Sequence, residues 1–326
     1  MNSIFLALEQ LRTQLSQALP AAPGIRHFDV SFPLNDAFDP LAWLGEQQCY
    51  PQFYWQQRNG DEELAALGAV TQFSSLALAS QFLRAQNAAG DTRICGLNAF
   101  NPEQGSLFLP RLLWRRTAGT ATLRLQLWSN RSLQEDARVA QDFLQQLRPA
   151  RSIRPLSVQV EHETHQPQQA EWLRLIRRAT ETIARGDFEK VVLARATDLQ
   201  FTQRVNPVAL MAASRALNLH CYHFCMVFDA SNAFLGSTPS VSGGGAASCC
   251  ARKRSREPSP AIPMIARRSV SASGCLTMIK TSAKICWWWK ISASVFSTLR
   301  RRLRYCPPRW YACVKCSICA AVSGPS

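Results

Sequence analysis

Lys190 stands in the run Phe188-Glu-Lys-Val-Val-Leu-Ala-Arg195, which reads as a strand over 188–197. On an alternating strand it shares a face with Val192, Ala194 and Ala196. A lysine held among small apolar neighbours is desolvated, its pKa falls, and its amine becomes a general base. The same pattern also fits a lysine near a strand end whose tip reaches water, which is the commoner case. His220, Cys221, His223 and Cys225 have the chemistry of metal ligands. Ligands two apart on one straight strand do not converge on an ion, however. A buried strand with Tyr222, Phe224 and Met226 on its other face accounts for them. His162 and His165 flank Glu163 three apart, whereas the zinc-protease helix needs its histidines four apart, and Pro167 argues against a helix there. Cys313, Cys316 and Cys319 would supply three thiolates to a zinc knuckle, but no histidine and no paired Cys-x-x-Cys completes a site.

The elements that must position these residues are legible in the first 240 positions. Ile4, Leu8, Leu11 and Leu15 mark an amphipathic helix at the N-terminus. Its acidic and basic residues, Glu9 and Arg12, and the lack of a basic leader exclude a signal peptide, so a cytoplasmic protein is expected. Asn59-Gly60 predicts a type I′ turn between two strands. Leu123, Leu125 and Leu127 alternate with polar residues as in a half-buried strand. Ser132 with Glu135 predicts a capping box, opening a helix with the stripe Ala137, Ala140, Phe143, Leu144 and Leu147. Residues 149–169, rich in Pro, Ser and Gln, read as a linker or irregular crossing. A helix follows with Trp172, Leu175, Ile176, Ala179 and Ile183 on one face and Gly186 as its C-terminal cap. Asn206-Pro207 starts another helix, ending near Asn218; a strand covers 221–228, and Asp229 to Asn232 is a turn. Helices interleaved with hairpin-like strands give an α+β class.

The chain has 326 residues and a net charge of +15. That excess is not spread evenly: residues 1–240 carry net +1, whereas 241–326 carry 15 Lys and Arg against one acid, Glu257. Eight of the 12 cysteines also fall after residue 240. A charge and cysteine break this sharp marks a boundary. The expected division is an N-terminal α+β subdomain over 1–150, the start of a catalytic domain over 151–240, and a non-native tail over 241–326. No apolar run reaches the length of a membrane span.

The strand around Lys190, followed some forty residues later by Phe234-Leu-Gly-Ser-Thr-Pro239, resembles the chorismate-utilising enzymes. Residues 32–63 and Leu217-Asn-Leu-His-Cys-Tyr-His-Phe224 look most like the isochorismate synthases of menaquinone biosynthesis. The resemblance implies an incomplete chorismate-binding fold with mixed and antiparallel sheets. It also implies conversion of chorismate to isochorismate with Mg²⁺. In that family a lysine on the matching strand activates water, and Lys190 occupies its position. A glutamate after Gly-Ser-x-Pro protonates the departing hydroxyl, and carboxylates further along hold the metal. In this chain the acid position is Ser240, and nothing after it resembles the family. The metal ligands would therefore be missing. The implied partner is the small molecule chorismate, acting on a monomer, with no nucleic acid and no membrane.

The genetic code offers an account of the tail. Joining the last base of each codon to the first two of the next turns Cys286-Trp287 into leucine. It turns Trp287-Trp288-Trp289 into two valines, Trp289-Lys290 into glutamate, and Lys290-Ile291 into asparagine or aspartate. That amphipathic, acidic text suits the family downstream of its Pro-Glu motif. A single-base loss near the codon for Ser240 is therefore the expected origin of the tail. The rival is a basic nucleic-acid- or zinc-binding protein built on the tail itself.

Overall fold

The computed structural model describes residues 3–33, 38–87, 92–99, 101, 103–117, 119–239 and the backbone of 320–322. The chain runs α1 (Ser3–Leu15), β1 (Gly24–Pro33), α2 (Pro40–Glu46), β2 (Gln52–Gln56), β3 (Glu62–Phe73), α3 (Leu76–Ala85) and β4 (Cys95–Asn98). It continues with β5 (Gly105–Thr117), β6 (Thr120–Ser129), α4 (Leu133–Gln145), β7 (Val160–Gln166), α5 (Gln169–Ala184) and β8 (Ala196–Phe201). Last come α6 (Pro207–Leu217), β9 (Tyr222–Val227), β10 (Ala233–Thr238) and β11 (Ala320–Val322).

Nine strands form one antiparallel sheet in the order β1-β6-β5-β3-β2-β9-β10-β11, with β4 on β5; β7 and β8 form a separate hairpin. The α+β class expected from the sequence holds. Because β9 pairs with β2, residues 206–238 share the sheet of the first 130 residues, and the hairpin and α5 lie between the two contributions. One sheet face packs under α1, α2, α4 and α6. Its cluster includes Leu11, Trp43, Tyr54, Trp114, Leu125, Leu144, Met211 and Cys225. The other face gathers Phe53, Trp55, Phe108, Phe224 and Met226. Period-two alternation puts Cys225 on one face and its neighbours Phe224 and Met226 on the other, as their positions in the sequence require.

The α1 stripe is buried at Ile4, Leu8, Leu11 and Leu15. The α4 stripe is buried at Ala137, Ala140 and Leu144, with Phe143 and Leu147 packed at its border. The expected capping box does not form, since Ser132 occupies the N-cap without a side-chain hydrogen bond. A stronger partner holds that helix end. Asp136 takes a bidentate pair from buried Arg111 at 2.6 and 2.7 Å and also accepts the Trp128 N–H at 3.0 Å. A charge-assisted fork outweighs a neutral cap. The β6 strand departs from the half-buried expectation too. Its polar face carries buried Arg124, which grips Asp29 at 2.6 and 2.7 Å, and Gln126, which donates to Pro110 O at 2.8 Å.

The turn at Asn59-Gly60 is not type I′. Only Gly60 is left-handed, at φ +76°, and its N–H donates to Gln57 O at 2.9 Å. Five residues separate β2 from β3, so the loop is longer than the two-residue hairpin that a type I′ turn closes. Gly96 is obligatory for a different reason: a Cβ there would sit 2.1 Å from Ser106 O across the ladder.

Candidate functional site

The strand expected over 188–197 begins only at Ala196. Residues 188–195 run between the end of α5 and β8 without ladder hydrogen bonds. A strand needs a ladder to bond its N–H and C=O groups, and no ladder with this stretch forms among the described residues. Lys190 is exposed, as are Val191 and Val192, at 39% and 38%. The small apolar face expected around it is therefore not assembled by the described residues. The end of α5 that precedes it is well built. Gly186, at φ +79°, donates to Ile183 O and Asp187 N–H reaches Thr182 O, a Schellman cap on the expected glycine.

The second half of the motif is held firmly. Every residue of β10 is buried. Ser237 Oγ lies 2.8 Å from His223 Nδ1 and 2.8 Å from Ser214 Oγ, and Arg58 donates to Pro239 O at 3.2 Å. The strand that leads to position 240 is thus pinned from α6, from β9 and from the β2–β3 loop. Ser240 itself lies outside the described residues, as do Cys313, Cys316 and Cys319. Of the tail over 241–326, only β11 is described, as a three-residue addition to β10.

His223 belongs to this polar clamp rather than to a metal site. Burial, reinforced by the neighbouring Arg215 guanidinium, lowers its pKa to about 4, so it stays neutral and available to Ser237. Cys225 packs in the core, where burial pushes its thiol up to about 12 and makes it inert. His165 pairs with Glu163 at 3.3 Å and with Thr197 Oγ1 at 2.9 Å on the exposed hairpin. Among the described residues, no group of three or more His, Cys, Asp or Glu side chains is placed to hold a metal ion. The described residues therefore do not fit the Mg²⁺ that the resemblance implies.

One cluster escaped the sequence reading. Arg215 reaches Asp39 Oδ2 at 2.6 Å and Tyr54 OH at 2.9 Å, and Tyr54 OH donates to Glu63 Oε1 at 2.7 Å. Arg116 closes the network on Glu63 Oε2 at 2.9 Å. Burial raises the pKa of Glu63 despite the Tyr54 hydrogen bond and the two arginines, and the Tyr54 phenol is raised well above its usual range, first by burial and then by Glu63. These groups tie α2, β2, β3, β5 and α6 together beneath the clamp. One signal was available: Asp39-Pro40 is the same N-cap-then-proline pair as Asn206-Pro207. Asp39 accepts the Leu41 N–H at 2.9 Å, as Asn206 accepts that of Val208.

Comparison with known proteins adds the following. The family described as chorismate binding enzyme matches residues 96–241. The chain is 57% identical over 239 residues to isochorismate synthase MenF of Escherichia coli K12, a match covering 73% of this chain and 56% of that protein. It is 31% identical over 205 residues to isochorismate synthase MenF of Pasteurella multocida, covering 63% and 46%. The solved structure of MenF, the menaquinone-specific isochorismate synthase from Escherichia coli, superposes with a TM-score of 0.69 at 57% identity, covering 73% of this chain and 56% of that one. The chain spans about half the length of the curated relatives it matches.

Proposed function

We propose that this chain, whose residues 96–241 match the chorismate-binding enzyme family, carries the N-terminal part of an isochorismate synthase of menaquinone biosynthesis. The observation that carries this reading is the 57% identity sustained over 239 residues, with Lys190 inside the matched stretch. Lys190 is assigned as the general base that takes a proton from the water that adds to the chorismate ring. The hydroxyl that departs needs a proton from an acid, and position 240 offers only Ser240. A serine hydroxyl is a far weaker acid than a carboxyl group, and losing a general acid costs about 10²–10⁴-fold. The Mg²⁺ of the family would need carboxylates that residues 241–326, with Glu257 as their one acid, do not supply.

Residues 241–326 are, on this reading, the product of a one-base frame change near the codon for Ser240. The net charge of +14 after 240 against +1 before it supports this, as does the hidden Leu-Val-Val-Glu text beneath Cys286 to Lys290. As it stands, the chain converts chorismate negligibly. The substrate is the small molecule, and the working unit is a cytoplasmic monomer. No described helix is long and apolar enough to cross a membrane.

The gene tests the reading. Restoring one base after the codon for Pro239 is expected to give glutamate at 240 and an open frame through the codons that now encode 241–326. Absence of such a frame would return the tail to the rival account. Tight zinc at one equivalent, lost on Cys313→Ser, would favour that account directly.

A further inference from the structure

A polar row crosses the large sheet. Arg116 lies opposite Glu63, Glu63 opposite Gln56, Gln56 opposite His223, and His223 opposite Ser237. Directly opposed residues of antiparallel strands share a face, so the row runs over β5, β3, β2, β9 and β10 on the face that α6 covers. It ends on Ser237, whose Oγ lies 2.8 Å from both His223 Nδ1 and Ser214 Oγ. Asn218 donates to Ser214 Oγ at 3.1 Å. Ser214, His223 and Ser237 are each at most 8% exposed. Burying polar groups costs stability, and aliphatic side chains would join a strand to a helix without that cost. What a saturated buried network adds is a single arrangement of the elements it joins.

The element that needs a single arrangement is the end of β10. Position 240 follows Ser237 by three residues, and the two between have little freedom. Pro239 has its φ locked and restricts Thr238 to extended backbone, and Thr238 is itself buried. Arg58, from the β2–β3 loop, holds Pro239 O at 3.2 Å. Three extended residues span about 10 Å, so a tilt of about 10° at Ser237 displaces position 240 by about 2 Å. A misplacement of about 1 Å costs about 10²-fold in rate. We propose that Ser214, His223 and Ser237 are positioning residues: with Arg58 they aim the side chain at position 240 towards the departing hydroxyl of the chorismate ring. The proposal rests on the family reading above, which makes 240 the acid position. In this chain the clamp is complete, and the residue that it aims is Ser240.

Two measurements test this. The first uses this chain as it stands: Ser237→Ala is expected to speed hydrogen exchange over 233–239 at least tenfold. The control is Ser75→Ala, which removes the N-cap hydrogen bond to the Leu78 N–H on α3, a helix packed against β3 and β5; it leaves exchange over 233–239 unchanged. The second is isochorismate formation by the chain with its frame restored after Pro239. There Ser237→Ala and His223→Leu are each expected to lower kcat at least tenfold with KM within twofold, the sign of an interaction that serves the transition state and not substrate binding. Ser237→Thr, which keeps the hydroxyl, restores most of the loss, and Ser75→Ala changes neither constant. Arg58 is exposed, so Arg58→Ala decides the matter if the buried variants do not fold; it is expected to lower kcat at least threefold. Unchanged exchange over 233–239 overturns the proposal, as does a raised KM with kcat intact. Variants that turn over like an active restored parent overturn the positioning role alone. A restored parent without turnover overturns the family reading, and the role with it.

Discussion

The large sheet with its helices and the stretch 151–205 are built from equally regular sequence, yet they end in opposite states. In the first, apolar stripes meet apolar stripes: Leu11, Trp43, Trp114 and Leu144 are nearly inaccessible to water. Charged residues caught inside, such as Arg111 with Asp136 and Arg215 with Asp39, are forked and saturated. In the second, α5 buries nothing and the β7–β8 hairpin carries Val160 and Leu199 half in solvent. Amphipathic pattern states which face wants covering; it does not supply the cover. The sheet finds its cover within the first 150 residues and α6. Helix α5, by contrast, buries none of its residues.

The sharpest way to break this contrast is to truncate side chains in both regions. Trp114→Ala should cost about 3–5 kcal/mol of stability, the usual loss for a large buried aromatic. Leu173→Ala on α5 should stay within about 0.5 kcal/mol, as for an exposed position. Chemical denaturation followed by fluorescence and circular dichroism checks both. An α5 truncation as costly as the core one would mean that α5 is packed after all.

Arg215→Ala should be next in size. It leaves Glu63 buried with Arg116 as its remaining cation and removes the partner of Asp39. Removing one partner of a buried ion pair costs about 3–5 kcal/mol, and the low end applies because Arg215 keeps some solvent contact. Lys190→Ala, by comparison, should leave the melting temperature of this chain unchanged.

The clamp also gives a pH signature. His223 has a folded pKa of about 4, below the ordinary 6.5. The unfolded chain therefore binds the extra proton first as pH falls. Stability from this group is whole above about 6.5 and is lost as the pH drops towards about 4. The loss should amount to about 1–3 kcal/mol over that window. His223→Gln, which keeps a hydrogen-bonding side chain beside Ser237, should flatten that part of the pH–stability curve. An unchanged slope would detach His223 from the clamp.

Local chemistry was legible where it acts locally. The α1 face, the Gly186 cap and the Asn206-Pro207 helix start each depend on residues within a few positions of one another. The chorismate-enzyme resemblance likewise rested on contiguous motifs. What escaped depends on distance in sequence. Ser132 and Glu135 spell a capping box, but Arg111 arrives from another strand and makes Asp136 the anchor. Arg215 finds Asp39, 176 positions away, inside a core that no helical period reveals. The strand around Lys190 was read from its own composition, and composition cannot provide the neighbour that a strand must bond. For the candidate site, the sequence singles out Lys190 and the Gly236-Ser237-Thr238-Pro239 motif, but not the Ser214–Ser237–His223 clamp.

The most direct measurement is isochorismate formation from chorismate in the presence of Mg²⁺. It compares this chain, the chain with its frame restored after Pro239, and the restored chain carrying Lys190→Ala. The account predicts turnover by the restored chain alone. Substantial turnover by this chain would contradict the loss of the acid at Ser240, and substantial turnover by the Lys190→Ala variant would contradict the base.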